Sequence, residues 1–407
     1  MREKYKYAIL LISLVFYTWF VGWYVIVLIL LALVAMLSCH LSSKWSLYIS
    51  ITSLVMGFVM MKYFFHDKTI MLPIGYSTFA FSNISYLVDC YKNKRTDKNI
   101  DVFCYLFFFP KMLCGPIVRF YPFQKQLDSC SIPTTKDLYR AFKISTYATF
   151  CKFCVADNLA CFTASFSSGI NTCFSSIIFA IQLYLDFYAY SNFAIAFAIL
   201  FSIELPISFN APYKTSTFRM FWHRWNITIS EWLKDYIYIP MGGNRNANKF
   251  RVSLNILVTF LVSGLWHGAT LPFIIWGAFH GLFVIIERFC INIILRTALS
   301  KILYQFAVLL FIVVLWQLFR LDNVEEIITF INCLFTKSKI DSTMMVYTIA
   351  SIIILWIIDN EKIKGLIFSV KESKPYIIKE VSLMCMMLFL TLLLHSQPDV
   401  NFFYFKF

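Results

Sequence analysis

The chain has 407 residues, of which 59% are hydrophobic and 14% are charged, and its mean hydropathy is +0.69. A soluble domain carries about a quarter charged residues, so this composition excludes an ordinary soluble globular protein. The net charge of +14 does not require nucleic acid, because the basic residues stand in short loops that meet anionic lipid headgroups.

Apolar runs alternate with short polar segments along the whole chain. They cover 8–37, 47–64, 101–114, 141–162, 174–202, 252–266, 271–294, 302–319, 343–358 and 380–396. The first run is too long for one untilted helix, so we expect two helices around Gly22. The run 71–88 is interrupted by Pro73 and Gly75, so we expect it to be re-entrant. Because a span needs roughly 20 residues, we predict an all-α bundle with about nine to twelve transmembrane helices.

The segment 203–250 is too polar to span a membrane but is rich in tryptophan. Its large apolar residues recur at steps of three and four, at Phe218, Phe221, Trp222, Trp225, Ile229, Trp232, Leu233 and Tyr236. This spacing places them on one face of a helix. Amphipathic helices of this kind lie at the membrane interface or in a protein-lined cavity, so we predict an amphipathic helix over 218–236.

Two histidines, His267 and His280, belong to apolar runs. A histidine at membrane depth is costly to bury and indicates a functional site, or else a structural imidazole bonded to a backbone carbonyl. The two stand thirteen residues apart, about 20 Å along a continuous helix, so they cannot share one reacting atom unless the chain reverses. Metal is not expected, because a zinc site needs three or four close ligands and the six histidines show no helical ligand spacing.

A neutral imidazole suits a reaction in which a hydroxyl loses its proton while it attacks a carbonyl carbon. The tetrahedral intermediate then needs a hydrogen-bond donor for its oxygen, and the amide of Asn226 can supply one. Spacing alone does not show that His267 and Asn226 meet.

The polar segment and the histidines together resemble a known family. The carrying motif, residues 221–245, reads FWHRWNITISEWLKDYIYIPMGGNR, and it is followed by GLWHGA at 264–269 and WGAFHG at 276–281. Shorter matches are LPIG at 72–75, SYLVD at 85–89, CGPIVR at 114–119, YLDF at 184–187 and FR at 319–320. The order and length of these motifs resemble the membrane-bound O-acyltransferases, in the bacterial branch that includes the alginate O-acetyltransferase membrane subunit. The resemblance implies one domain over 1–407, with a motif core at 72–320 and a helical bundle around a central reaction chamber.

The resemblance also implies roles for individual residues. The family's catalytic histidine falls on His267, and its Asn or His partner falls on Asn226. Many bacterial relatives carry histidine at the second position, whereas this chain carries asparagine, as the eukaryotic lipid- and sterol-acylating members do. The difference favours His267 as the only base, with Asn226 orienting or polarising the reacting groups.

Further residues are expected to bind substrate around these two, namely Trp225, Trp266, Arg224, Tyr190, Ser191, His280 and Arg119. His280 either lines the chamber or bonds a backbone carbonyl. Arg119 and Arg224 either pair with the intramembrane Asp186 or bind the phosphates of the donor, and for Asp186 we favour a structural pair with an arginine.

The resemblance implies transfer of an acyl group, expected to be acetyl, from a thioester donor such as acetyl-CoA to a hydroxyl of a cell-surface or exported polysaccharide. No bound cofactor or metal is expected. Expected partners are membrane lipids, a glycan or lipid-linked glycan, acyl-CoA or an acyl carrier, and a periplasmic or extracellular acyltransferase, with no nucleic acid. The expected location is the bacterial cytoplasmic membrane.

Two alternatives stay open. One is transfer of D-alanyl or another acyl group to teichoic acid or lipid. The other is a glycan or lipid transporter, which often shows internal repeats and paired broken helices, and the sequence displays neither feature.

Overall fold

The structure is a computed structural model that describes residues 2–60, 62, 75–95, 97–112, 115–163, 167–245, 248–268, 270–294, 297–370 and 374–394. The regular elements of these residues are helices. In chain order they are α1 (Arg2–Val21), α2 (Tyr24–Leu41), α3 (Lys44–Val59), α4 (Tyr76–Asn93), α5 (Asn99–Phe107), α6 (Phe109–Met112), α7 (Phe120–Ser129), α8 (Thr135–Thr149), α9 (Asp157–Ala160), α10 (Ile170–Ile199), α11 (Phe218–Trp222), α12 (Ile227–Leu233), α13 (Lys249–His267), α14 (Leu271–Ile294), α15 (Ala298–Trp316), α16 (Val324–Phe335), α17 (Ser342–Ile358), α18 (Glu361–Phe368) and α19 (Lys374–Leu394). The predicted all-α class is confirmed.

Seven helices in the described part of the chain are long and apolar enough to cross a membrane. They are Glu3–Val21, Tyr24–Leu41, Ile170–Ile199, Lys249–His267, Leu271–Ile291, Ala298–Phe319 and Pro375–Leu394. An eighth span results if α17 and α18, which are bent by 57° at their junction, count as one. The chain is therefore a multi-pass helical membrane protein.

Nine to twelve spans were expected for the whole chain, and within the described residues several apolar runs form shorter elements. The run 47–64 contributes α3, which has 16 residues. The run 101–114 divides into α5 and α6. The run 141–162 includes a π-helical stretch, Phe150–Ala156, between α8 and α9. The proposed re-entrant break at Pro73 lies outside the described residues.

The first apolar run divides as predicted. Helix α1 ends at Val21, Gly22 adopts a left-handed conformation with φ +61°, and α2 begins at Tyr24. Glycine adopts this conformation without the steric cost of a Cβ atom.

The helices cluster into two compact units, and the first comprises Met1–Ser145 and Tyr190–Ile207. Its N-terminal helix is tied to α5 and α7 by Lys6, whose ammonium lies 2.6 Å from Asp101 and 2.6 Å from Asp128. Lys6 and Asp101 are both buried. Removing one partner of a buried ion pair strongly destabilises the folded protein, because the remaining buried charge is left without its partner.

The second unit comprises Thr146–Ala189 and Ser208–Phe407. Here Asp186 of α10 pairs with Lys152 of the π-helical stretch at 2.8 Å, and Lys152 also lies 2.7 Å from Asp157. The predicted arginine partner of Asp186 is thus corrected to a lysine. The long apolar stem of lysine lets it lie within an apolar run, where we did not expect a cation.

Helices α13 and α14 form a closely packed antiparallel hairpin in this unit. A methyl group at Gly277 would lie 2.5 Å from the Phe260 carbonyl oxygen, and one at Gly281 would lie 3.3 Å from the Leu257 Cα. A methyl group at Gly264 would clash with the Phe273 carbonyl oxygen. Small residues at such positions let two membrane helices approach at backbone distance.

We predict that Gly277→Ala destabilises the protein, because the obstructing oxygen belongs to backbone that cannot rotate away. Overpacking of this kind costs about 1–3 kcal/mol, which should lower the unfolding midpoint in detergent by roughly 2–8 °C. Gly365→Ala is the matched control, because no atom lies within 4 Å of its added methyl group. Equal midpoints for the two variants would contradict the close-packing explanation.

Candidate active site

The tryptophan-rich segment forms two short helices rather than the single amphipathic helix predicted over 218–236. Helix α11 ends at Trp222, α12 begins at Ile227, and a π-helical stretch, Lys234–Tyr238, follows. The break occurs at Asn226, which has φ +41°. Asparagine is among the few residues that occupy the left-handed region readily. The apolar spacing is compatible with both arrangements, so spacing did not reveal the break.

Backbone hydrogen bonds fix this turn. The Ile227 amide donates to the Ser208 carbonyl at 2.8 Å, and the Asn210 amide donates to the Arg224 carbonyl at 3.0 Å. The Asn226 carbonyl accepts from the amides of Ile229 and Ser230, which starts α12. Asn226 therefore stands at a defined helix start.

His267 is the last residue of α13 and is half-buried among aromatic rings. Its ring centroid lies 4.3 Å from that of Trp266, 5.2 Å from Trp276 and 4.9 Å from Phe319. The helix ends here, where the amide of Gly268 donates to the Gly264 carbonyl, and α14 begins at Leu271. The imidazole is thus held at a helix end by rings from two other segments.

His280 lies in α14 and is fully buried. Its ring centroid is 4.8 Å from Trp276 and 4.9 Å from Trp222. Neither of its ring nitrogens has a hydrogen-bond partner among the described residues, so the carbonyl-bonded alternative is not observed there.

The chain reverses between the two histidines, contrary to the continuous helix assumed for the 20 Å estimate. Trp276 contacts both imidazoles, His267 at 5.2 Å and His280 at 4.8 Å between ring centroids. One indole is therefore in contact with both imidazoles.

Ring contacts connect the tryptophan-rich segment to His267 within this unit. Trp225 lies 4.6 Å from Trp316, Trp316 lies 5.1 Å from Phe319, and Phe319 lies 4.9 Å from His267. The structure thus brings Trp225, Trp266, His267 and His280 into one aromatic cluster, with Asn226 next to Trp225 in the chain. Arg224, the residue before Trp225, is half-buried.

Three of the predicted substrate-binding residues belong to the first unit. Tyr190 and Ser191 lie in α10, where Tyr190 packs on Phe193 at 6.4 Å between ring centroids and Ser191 is buried. Arg119 is half-buried and directly precedes α7.

Sequence reasoning missed Glu287, a buried carboxylate of α14. It accepts hydrogen bonds from the backbone amides of Phe218 at 2.6 Å and Arg219 at 3.0 Å, and from the Tyr304 hydroxyl at 2.8 Å. A carboxylate at a helix N-terminus is stabilised by the free amides and by the helix dipole. Glu287 thereby fixes the start of α11, and the signal for it was a lone acidic residue in an apolar span.

The family is shown by comparison with known proteins. The model of the MBOAT, membrane-bound O-acyltransferase, family matches residues 92–321. The chain belongs to the membrane-bound O-acyltransferase family, and the resemblance stated from the sequence motifs is confirmed.

Curated relatives refine this similarity. The chain is 34% identical to the probable alginate O-acetylase AlgI of Azotobacter vinelandii over 63% of this chain and 52% of the relative. It is 32% identical to the peptidoglycan O-acetyltransferase of Helicobacter pylori over 64% of this chain and 56% of the relative. It is 29% identical to the teichoic acid D-alanyltransferase of Lacticaseibacillus rhamnosus over 54% of this chain and 60% of the relative. The chain thus spans about half the length of the first curated relatives it matches.

We predict that Glu287→Leu loosens α11, because the two amides and the Tyr304 hydroxyl lose an ionised acceptor. Hydrogen bonds to charged groups contribute about 1.5–3 kcal/mol each. Hydrogen exchange of the 217–222 backbone, followed by mass spectrometry in detergent, should accelerate strongly. Tyr304→Phe is the graded control, because it leaves both amide bonds in place. An unchanged exchange rate in Glu287→Leu would show that the carboxylate does not hold this helix.

Proposed function

We propose that this protein is a membrane O-acyltransferase that moves an acetyl group from a thioester donor to a hydroxyl of a cell-surface or exported polysaccharide. Family membership supports acyl transfer, and two of the relatives are named as O-acetylating enzymes of alginate and peptidoglycan. The single observation that carries the proposal is the half-buried imidazole of His267, held at a helix end within an aromatic cluster that also includes Trp225, the residue before Asn226.

In the proposed reaction His267 acts as general base. It takes the proton of the acceptor hydroxyl while the hydroxyl oxygen attacks the thioester carbonyl carbon and forms the new C–O bond. The tetrahedral intermediate then collapses, the C–S bond breaks, and the imidazolium returns the proton to the leaving thiolate. Asn226 donates its amide N–H to the developing oxyanion, an interaction that is strongest when water is excluded.

The remaining predicted residues have supporting roles in this proposal. Trp225, Trp266 and His280 form walls near the reacting atoms. The cation Arg224 binds the phosphates of acetyl-CoA or of an acyl carrier, while substrate-binding roles for Tyr190, Ser191 and Arg119 stay predictions from the sequence.

The proposed setting is the bacterial cytoplasmic membrane, with the acyl donor made inside the cell and the glycan exported. A periplasmic or extracellular acyltransferase is the proposed partner. A second candidate is D-alanyl transfer to teichoic acid, which the similarity to teichoic acid D-alanyltransferases favours at lower identity.

Mass spectrometry of cell-surface glycans with and without this protein tests the proposal. Loss of an acetyl ester from a polysaccharide upon deletion supports it. Loss of D-alanyl ester instead supports the second candidate, and unchanged ester content would refute both.

We predict that His267→Ala and His267→Gln lower acyl transfer by at least about 100-fold, the contribution of a general base. The amount of folded protein in the membrane should change little, because the imidazole is half-buried at a helix end. His280→Ala should show the reverse pattern, a lower unfolding midpoint with partial activity, because it empties space beside Trp222 and Trp276. A greater loss of transfer in His280→Ala would make His280 the better base candidate.

The role of Asn226 can be tested without backbone strain. We predict that Asn226→Gly folds normally, because glycine accepts φ +41°, but loses transfer by at least about tenfold, since one oxyanion donor is removed. Asn226→His should keep appreciable activity, because histidine also tolerates this conformation and carries a donor. Wild-type transfer rates in the glycine variant would refute the oxyanion role.

A further inference from the structure

A helix break lies beyond the residues that the family model matches. Helix α17 ends at Ile358 and α18 begins at Glu361, with a bend of 57° between them, whereas the family match ends at residue 321. Asp359, at the break, is 1% exposed. A carboxylate buried among apolar spans is costly unless it is paired and hydrogen-bonded, so its partners indicate what it holds.

The partners of Asp359 come from separate segments of the second unit. The Tyr184 hydroxyl donates to the Asp359 Oδ1 at 2.9 Å, and the Lys364 ammonium lies 3.0 Å from the same oxygen. The Lys214 ammonium donates to the Asp359 backbone carbonyl at 2.7 Å. The Tyr147 hydroxyl donates to the neighbouring Ile358 carbonyl at 3.0 Å. Side chains thereby satisfy the carbonyl groups that a helix end leaves free.

Two of these partners, Tyr184 and Lys214, belong to segments that contact Trp225. The Tyr184 ring lies 5.9 Å from the Trp225 ring. Tyr213, the neighbour of Lys214, lies 6.2 Å from Trp225, and its hydroxyl donates to the Ala180 carbonyl at 2.7 Å. The Asp359 carboxylate therefore holds one ring that packs on Trp225, and its backbone carbonyl binds the segment that carries another.

We propose that Asp359 is a positioning residue, whose carboxylate holds Tyr184 against Trp225 and so fixes the turn at Asn226 for acyl transfer. The inference rests on the proposed function only in the role it gives Asn226. It assigns a part in the site to the C-terminal region, which the sequence motifs left without any role.

The competing explanation is that Asp359 only neutralises Lys364. The two explanations differ for Asp359→Asn, which keeps an oxygen acceptor for Tyr184 but removes the charge. They also differ for Tyr184→Phe, which removes the hydroxyl and leaves the ion pair in place.

The experiment compares Asp359→Leu, Asp359→Asn, Tyr184→Phe and the double variant Tyr184→Phe/Asp359→Leu. Thr348→Val is the matched control, because Thr348 is buried in the same helix α17 and its hydroxyl donates to the Met344 carbonyl of that helix. One measurement is hydrogen exchange of residues 221–233 in the full-length protein in detergent. The other is the initial rate of thiol release from acetyl-CoA, in membranes that contain the endogenous acceptor.

If Asp359 is a positioning residue, the backbone amides of 221–233 should exchange hydrogen faster in Asp359→Leu and Tyr184→Phe than in wild type. Exchange in Thr348→Val should not change. It predicts a kcat about tenfold lower in Asp359→Leu, with the KM for acetyl-CoA within about twofold of wild type. Asp359→Asn should retain at least about half of kcat, because the acceptor oxygen remains. The double variant should be no slower than Asp359→Leu, because the two residues act through one hydrogen bond.

Unchanged exchange of 221–233 in both Asp359→Leu and Tyr184→Phe would overturn the inference. So would an Asp359→Asn variant as slow as Asp359→Leu alongside a fully active Tyr184→Phe, which is the pattern for charge neutralisation. If the wild-type protein releases no thiol, the proposed function fails, and the exchange measurement still decides whether Asp359 fixes the turn.

Discussion

The candidate site depends on the backbone-distance packing of α13 against α14. A methyl group at Gly264 or Gly277 would clash with backbone of the facing helix, and one at Gly281 would be in tight contact with it. Because the approach is so close, the last turn of α13 lies beside the second turn of α14, and His267 contacts Trp276. In hydrocarbon the hydrophobic effect does not drive helix association, so close packing of this kind is a main source of attraction.

Two buried carboxylates extend this arrangement to the tryptophan-rich turn. Glu287 anchors the first amides of α11, and Asp359 bonds the tyrosine that packs on Trp225. Both acids are costly to bury, and both accept hydrogen bonds from segments far away in sequence. The segments next to the turn at Asn226 are thus held by polar contacts as well as by aromatic rings.

Local properties of the sequence predicted local features well. The length of the first apolar run indicated the division at Gly22, and the order of the motifs indicated the family. Both features can be read from residues that are close together in the sequence. The break at Asn226 escaped prediction, since apolar spacing of three and four residues persists across it. Lys152, Glu287 and Asp359 were missed because their partners lie 34, 69 and 175 residues away, distances at which periodicity carries no information. Whether Asn226 and His267 act together is likewise a matter of tertiary contact, and their catalytic roles remain proposals.

The indole that contacts both imidazoles has a consequence for proton transfer. An indole ring has an N–H donor and no acceptor lone pair, so Trp276 cannot pass a proton from His267 to His280. If His267 is the base, the proton it takes from the acceptor has no route through this contact and leaves with the thiol in the same turnover. In the proposed reaction the base is then reset by the thiolate that the reaction itself releases, and His280 takes no part in the proton transfer.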